Sequence, residues 1–182
     1  MTRLFVALKI PDDVRSRILE LRNEIYPDYK KLKWEPEDKI HLTLKFIGEI
    51  KTELVDEIAG SLDFINEYGK FRCGLRQFGF FYRKGRASIL WLGMYVDKSI
   101  DRLVFKLNTH FEKYSVPAER REFKPHLTLL RLKGYEDPAL IQIFEEAEIS
   151  SFDFTANEIA LFKSTLKPWG SVYEEIKNFK LK

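Results

Sequence analysis

Cysteine is nearly absent from this chain of 182 residues, because Cys73 is the only one. No internal disulfide and no zinc site built from cysteines can therefore form, and we expect Cys73 to be a small buried hydrophobic side chain. The N-terminal stretch 1–13 has no long apolar run and contains acidic residues, which argues against a signal peptide. No stretch approaches the ~20 apolar residues of a membrane span. These absences predict a soluble, cytoplasmic protein without membrane association.

A strong excess of charge of one sign is also missing. The chain has 31 basic and 28 acidic residues, and a formal net charge of +3. That excess is too small to indicate nucleic-acid binding by itself, but it is compatible with an anionic substrate. Hydrophobic residues make up 45% of the chain, including 15 phenylalanines, which is typical of a packed globular protein. The length suits one domain over residues 1–182, or two lobes that share a core.

Histidine is scarce too, yet two of the three histidines lie in the same tetrapeptide, His-Leu-Thr-Leu, at 41–44 and 126–129. In an extended strand, His41 and Thr43 point to one face while the two leucines point to the core, and the second copy repeats the pattern. Two histidines can supply one base and one acid near neutral pH. We predict that the two strands place both imidazoles and both threonine hydroxyls around one small anionic group.

The separation of 85 residues between the two motifs recurs along the chain as an internal repeat. Segments 4–10 and 89–96 are both apolar and strand-like, and each is followed by the 3.6-residue periodicity of an amphipathic helix. Thr52 and, 85 residues later, Asp137 can each cap a further helix. The pattern predicts a duplicated β-α-β-α-β-β unit, with two pseudo-symmetric lobes facing each other across a cleft.

The two motifs suggest acid–base chemistry at phosphorus. One imidazole would remove a proton from a water or hydroxyl, and the other would protonate the leaving oxygen, without a metal ion. Thr43 and Thr128 would donate hydrogen bonds to the non-bridging oxygens. A single strand histidine is more often structural, but its repetition at equivalent points favours catalysis. Zinc is less favoured because a third ligand is missing, and we expect His110 to be a surface or helix-capping residue.

Five stretches, two of which contain the motifs, extend the pattern along the chain: RLFVALKIP at 3–11, WEPEDKIHLTLKFIGEI at 34–50, ILWLGM at 89–94, FKPHLTLLRLK at 123–133 and LFKSTLKPWGSVYEEI at 161–176. Together they make nearly the whole chain similar to the 2H phosphoesterase superfamily, which is named for two His-x-Thr/Ser motifs. Within it, the chain resembles the RNA 2′,3′-cyclic phosphodiesterase branch, once called 2′-5′ RNA ligase.

The resemblance implies a bilobal α+β fold, with two antiparallel-rich sheets around a central cleft and helices outside. It implies metal-independent opening of an RNA 2′,3′-cyclic phosphate end to a 2′-phosphate, with no cofactor. The implied catalytic residues are His41 as proton donor, His126 as proton acceptor, Thr43 and Thr128. The expected substrate is RNA with a cyclic phosphate end, with tRNA fragments and cyclic nucleotides as further candidates, and the expected state is a monomer.

Two cations are candidates for substrate binding. The resemblance places Arg131 near the phosphate, although simple alternation puts it opposite His126, so its contact requires a β-bulge. The two-residue alternation of side chains along a strand places Lys45 on the same face as His41. Four aromatic residues are candidates for stacking a terminal base, with core packing as the alternative: Trp34, Phe78, Phe80 and Tyr82.

Two other functions use the same residues. A 2′-5′ RNA ligase would join the cyclic phosphate to a 5′-hydroxyl by the reverse reaction, although bulk water favours hydrolysis unless the 5′ end is held. A non-catalytic RNA- or nucleotide-binding module would keep only the fold. Retention of both His/Thr pairs argues against such a module, because binding a phosphate does not require two titratable groups.

Overall fold

The computed structural model describes residues 1–133 and 138–182, and Asp137, predicted to cap a helix, lies outside them. The described chain forms eight strands and four α-helices. Their bounds are β1 Thr2–Lys9, α1 Asp12–Ile25, β2 His41–Ile50, α2 Val55–Ser61, β3 Phe71–Arg83, β4 Arg86–Val96, α3 Ser99–Glu112, β5 His126–Arg131, α4 Pro138–Glu145, β6 Phe152–Ala156, β7 Glu158–Lys167 and β8 Gly170–Lys180. None of these helices is long and apolar enough to span a membrane.

The strands form two four-stranded antiparallel sheets, in the orders β2-β1-β7-β8 and β5-β4-β3-β6. Strand β3 of the first half lies in the sheet of β4 and β5, and strands β7 and β8 of the second half lie in the sheet of β1 and β2, because β3 pairs with β4 and β7 pairs with β1. Neither half therefore completes a sheet by itself. The predicted α+β fold with two antiparallel-rich sheets is confirmed.

Both motif strands lie at sheet edges, and the two edges meet. Strand β2 is the outer strand of the first sheet, β5 is the outer strand of the second, and the two strands are in contact. The connector before β2 runs along β5: Trp34 forms an isolated bridge with Leu130, and the Glu35 N–H donates to the Leu129 carbonyl at 2.8 Å. This extra pairing covers the edge of β5 and joins the two sheets.

The inward residues of the motifs anchor both strands in the core, as predicted. Leu42 and Leu127 are 1% and 0% exposed. Burial of such a side chain contributes roughly 1.5–3 kcal/mol. Helix α3 contacts β2 and helix α4 contacts β3, so these two helices each cover part of a sheet.

Cys73 is buried as expected, and this burial raises the pKa of its thiol to about 12.

A β-bulge interrupts the alternation of each motif strand immediately after its threonine. In β2, Thr43 lies opposite Ala7 and Lys45 lies opposite Val6, so Leu44 is the extra residue. In β5, the corresponding extra residue is Leu129, between the pairs that Thr128 and Leu130 make with β4. A bulge reverses which face the following side chains occupy. The strands therefore turn Phe46 and Arg131 toward the face of the histidines.

The same bulge explains why the predicted position of Lys45 is wrong. Lys45 does not share the face of His41, because the bulge turns its side chain inward, where the residue is only 4% exposed. Its Nζ donates to Asn108 Oδ1 at 2.7 Å and to the Pro117 carbonyl at 2.8 Å, and burial lowers its pKa. Lys45 thus ties β2 to α3 and to the segment before β5.

We expect Lys45→Met to destabilise the protein by about 1–3 kcal/mol, because the substitution removes the Lys45 donor from the Pro117 carbonyl and leaves Asn108 Oδ1 with only the Glu119 N–H. Urea unfolding measures the change. Lys51→Met is the matched control, since Lys51 is exposed just after the same strand and should change stability by less than about 0.5 kcal/mol. Equal stability of the two variants would show that the buried ammonium contributes nothing.

Candidate active site

A cleft of about 400 Å³ is lined by residues from both sheets and contains both predicted His/Thr pairs. The structure brings together five of the six predicted site residues: His41, Thr43, His126, Thr128 and Arg131. The leucines of each motif fill the core, so the alternation of the strand turns the histidine and the threonine toward the cleft. The described lining residues do not include Lys45.

The ring of His126 is held by a backbone hydrogen bond and by aromatic contacts. Its Nδ1 lies 2.7 Å from the Lys124 carbonyl oxygen. A carbonyl can only accept, so Nδ1 carries the proton, and the neutral ring keeps its lone pair on Nε2. Phe81 meets the ring edge-on, with centroids 4.9 Å apart. This arrangement suits Nε2 of His126 for accepting a proton.

His41 is enclosed by aromatic rings. Phe5 stacks on it with centroids 5.0 Å apart, and Tyr173 meets it edge-on at 5.5 Å. Burial lowers the pKa of His41 to about 4, and the positive charge of Arg131 acts in the same direction, while a hydrogen bond with the Lys39 backbone opposes them. His41 is therefore neutral at pH 7 in the ligand-free cleft.

Three cations and one carboxylate set the charge of the cleft. Among the described residues, Arg3, Lys39 and Arg131 line it together with Glu35, so the net charge of this described lining is positive. The Arg131 Nε donates to Glu35 Oε1 at 2.9 Å, and the Glu35 side chain is only 17% exposed. This bond uses Nε, and within 1–133 and 138–182 no hydrogen bond occupies the two terminal NH₂ groups, which can bind an anion.

Arg131 reaches the cleft because of the bulge at Leu129, which is the irregularity that its predicted contact required.

In the described parts of the chain, no group of three or more His, Cys, Asp or Glu side chains is placed to hold a metal ion.

Several lining residues escaped the sequence reasoning. Tyr173 comes from β8, far from both motifs, and only the antiparallel pairing of β7 and β8 brings it to His41. Glu35 and Lys39 lie in a charged connector that reads as solvated surface, and no periodicity sets them apart. Phe46 is missed because the bulge at Leu44 has no clear sequence signature.

Most of the aromatic candidates for base stacking are core residues instead. Phe78 and Phe80 are 6% and 8% exposed, so for these two the alternative of core packing holds. Trp34 packs edge-on against Phe144, and its Nε1 donates to the Tyr29 carbonyl. Of the four, only Tyr82 is largely exposed, and its hydroxyl donates to a glutamate on α4.

We expect His41 to titrate near pH 4 in the free protein and at a higher pH once inorganic phosphate is bound, because the anion stabilises the imidazolium. NMR of the ring protons measures both values, and the presence of only three histidines makes assignment by single variants simple. Arg131→Gln should raise the pKa of His41 without phosphate, since it removes a nearby positive charge. A His41 pKa near 6.5 in the free wild type would contradict the enclosed, cationic environment.

Comparison with known proteins gives the chain its family. A family model described as LigT like Phosphoesterase matches residues 8–91 and 95–173. A relative from Methanocaldococcus jannaschii named RNA 2′,3′-cyclic phosphodiesterase is 30% identical over 180 residues, covering 97% of this chain and 99% of the relative. A relative of the same name from Thermotoga maritima is 26% identical over 173 residues, covering 94% and 91%.

Solved structures agree with the fold. The crystal structure of a protein from Thermus thermophilus superposes with a TM-score of 0.79 at 25% identity, covering 98% of this chain and 97% of that one. The structure of E. coli LigT complexed with NADP+ gives a TM-score of 0.73 at 26% identity, covering 99% and 98%. The resemblance to the 2H phosphoesterases is thereby confirmed, and the chain belongs to the LigT-like phosphoesterase family of enzymes.

Proposed function

We propose that this enzyme hydrolyses the 2′,3′-cyclic phosphate at the end of an RNA to a 2′-phosphate, by acid–base catalysis from two histidines and without a metal ion. The observation that carries the proposal is that each sheet supplies one His/Thr pair to a single, positively charged cleft of about 400 Å³. The relatives from M. jannaschii and T. maritima named RNA 2′,3′-cyclic phosphodiesterase support the substrate class.

His126 is the proton acceptor. Its Nδ1–H is occupied by the Lys124 carbonyl, so Nε2 has the lone pair that can take a proton from water. The water oxygen then forms a bond to phosphorus as its proton moves to Nε2. The ring does not need to rotate, because Phe81 and the backbone bond already fix it.

His41 is the proton donor to the leaving 3′-oxygen. The bond from phosphorus to that oxygen breaks, and the oxygen takes the proton of the imidazolium, so that the 2′-phosphate remains. A ring with a pKa of about 4 is seldom protonated at neutral pH. The bound phosphate anion offsets the charge of Arg131 and raises this pKa, so that substrate binding favours the protonated His41 ring that acts as the acid.

Thr43, Thr128 and Arg131 stabilise the phosphate as negative charge develops on its non-bridging oxygens. All three line the same cleft as the histidines. Donors that are already oriented act most strongly where charge grows in the transition state. The Glu35 carboxylate holds the guanidinium of Arg131 through Nε, which limits its reorientation during the reaction.

We also infer that the two halves arose by internal duplication and act as one domain over residues 1–182. Two successive stretches match the same family model, which supports this inference. The bulge residues Leu44 and Leu129 are 85 positions apart, as are the two histidines. Each motif histidine is also hydrogen-bonded to the backbone of the residue two positions earlier, His41 to Lys39 and His126 to Lys124. The monomeric state and the cytoplasmic location stay predictions.

The central experiment incubates a short RNA that ends in a 2′,3′-cyclic phosphate with the enzyme in EDTA, beside His41→Ala, His126→Ala and His110→Ala. We expect wild type to produce a 2′-phosphate end, and each cleft variant to lose about 10²–10⁴-fold in rate, because each removes one proton-transfer group. Mass spectrometry, together with enzymes that distinguish the two phosphate positions, reads the product.

His110→Ala is the matched control, since His110 lies on α3, where its Nε2 is 2.9 Å from Ser61 Oγ, and does not line the cleft. A 3′-phosphate product would reverse the assigned leaving oxygen, and loss of activity in EDTA would contradict metal independence. Joining of the RNA to an added 5′-hydroxyl strand would indicate a ligase. Equal binding by all variants without turnover would indicate a binding module.

A further inference from the structure

A large aromatic side chain is exposed at the edge of the cleft. Trp169 is 66% exposed, in the turn between β7 and β8. Leu166 and Ser171 pair across this hairpin and both line the cleft. The turn therefore extends from the wall of the cleft outward, and Trp169 itself is not among the described lining residues.

The hairpin tip is tied to the connector that precedes His41. The Lys33 Nζ donates to the Trp169 carbonyl at 2.6 Å, and the Lys39 Nζ donates to the Ser171 carbonyl. Two ammonium groups thus fix the backbone on both sides of Gly170, which holds a φ of +133° that favours glycine. A turn whose backbone is fixed in advance loses less conformational entropy when a ligand binds beside it.

The surface of the tip combines apolar and basic groups. Leu166 is 64% exposed and lies on the cleft face of the hairpin that carries the exposed indole, whereas Val172, 42% exposed, lies on the opposite face. Lys33 and Lys167 are exposed at the same tip. A flat apolar surface bordered by cations is complementary to a nucleobase with its backbone phosphate, because the ring stacks while the ammonium groups attract the anion.

We propose that the indole of Trp169 stacks on the nucleobase of the penultimate nucleotide of the RNA strand whose terminal cyclic phosphate occupies the cleft. The assignment rests on the proposed function. The cleft volume of about 400 Å³ suits one small ligand, so the next nucleotide must lie outside it. Trp169 occupies that outer position, continuous with the cleft wall through Leu166.

The test compares kcat/KM for a nucleoside 2′,3′-cyclic phosphate with kcat/KM for a dinucleotide that ends in the same group. Trp169→Ala should lower the value for the dinucleotide by about 5- to 150-fold, the range given by loss of one base stack. The mononucleotide has no penultimate base, so its kcat/KM should stay unchanged. Trp169→Phe should recover most of the loss, because it restores an aromatic face.

Phe105→Ala is the matched control, since Phe105 is an exposed aromatic residue on α3 (71% exposed) and does not line the cleft. A dinucleotide with an abasic penultimate position provides a second control, on which wild type and Trp169→Ala should be equal. An equal loss on both the mononucleotide and the dinucleotide, or no loss on either, would overturn the proposal.

A binding measurement distinguishes failure of this inference from failure of the proposed function. If wild type turns over neither substrate, the proposed reaction fails, but the stacking is still tested by indole fluorescence. A non-hydrolysable dinucleotide with a terminal phosphate should quench wild type more than it quenches Trp169→Phe, and a mononucleotide should quench the two proteins equally. Equal quenching by the dinucleotide in both proteins would overturn the stacking, whatever the activity.

Discussion

The contact between the edge strands β2 and β5 brings the two His-Leu-Thr-Leu motifs to one cavity, although they are 85 residues apart. Each strand is fixed from behind by its buried leucines and from the side by its central neighbour, β1 or β4. The exchange of β3 and β7 between the sheets makes each half depend on the other. The site is therefore a property of the whole fold, since neither half presents more than one His/Thr pair.

The electrostatics of the cleft couple binding to protonation. Burial and Arg131 keep His41 neutral when the cleft holds no anion. The charge of Arg131, which adds to the effect of burial in lowering the pKa of His41, also attracts the substrate, and the arriving anion offsets that charge. In the proposed mechanism the acid forms when there is a phosphate to act on. His126 needs no such preparation, because its hydrogen bond to Lys124 already leaves the lone pair on Nε2.

Much of the site could be predicted from the sequence, because strand alternation and repetition determine it. His41, Thr43, His126 and Thr128 reach one cleft since their leucines pack inward on both strands. The two-residue alternation of faces no longer holds after the threonine of each motif. The bulge at Leu44 buries Lys45, and the bulge at Leu129 brings in Arg131, because the extra residue reverses the faces. Only the register with the neighbouring strand reveals such an insertion.

Long-range pairing explains the other differences. Tyr173 and Leu166 reach the cleft because β7 and β8 pair across a turn, and no local pattern encodes where that hairpin lies. The aromatic run in β3 looked available for stacking, yet Phe78 and Phe80 face the core that α4 covers. The exposed Trp169 is distinguished only by its exposure, which depends on the folded hairpin.

The most direct test of paired acid–base catalysis is the pH dependence of kcat and of kcat/KM on an RNA with a 2′,3′-cyclic phosphate end. Two titrating groups, one required as base and the other as acid, predict a bell-shaped profile for both parameters. Because the bound anion raises the pKa of His41, the limb that this group sets should lie at higher pH in the kcat profile than in the kcat/KM profile. A profile with a single limb, or a shift of that limb to lower pH in the kcat profile, would contradict two histidines acting on one phosphate.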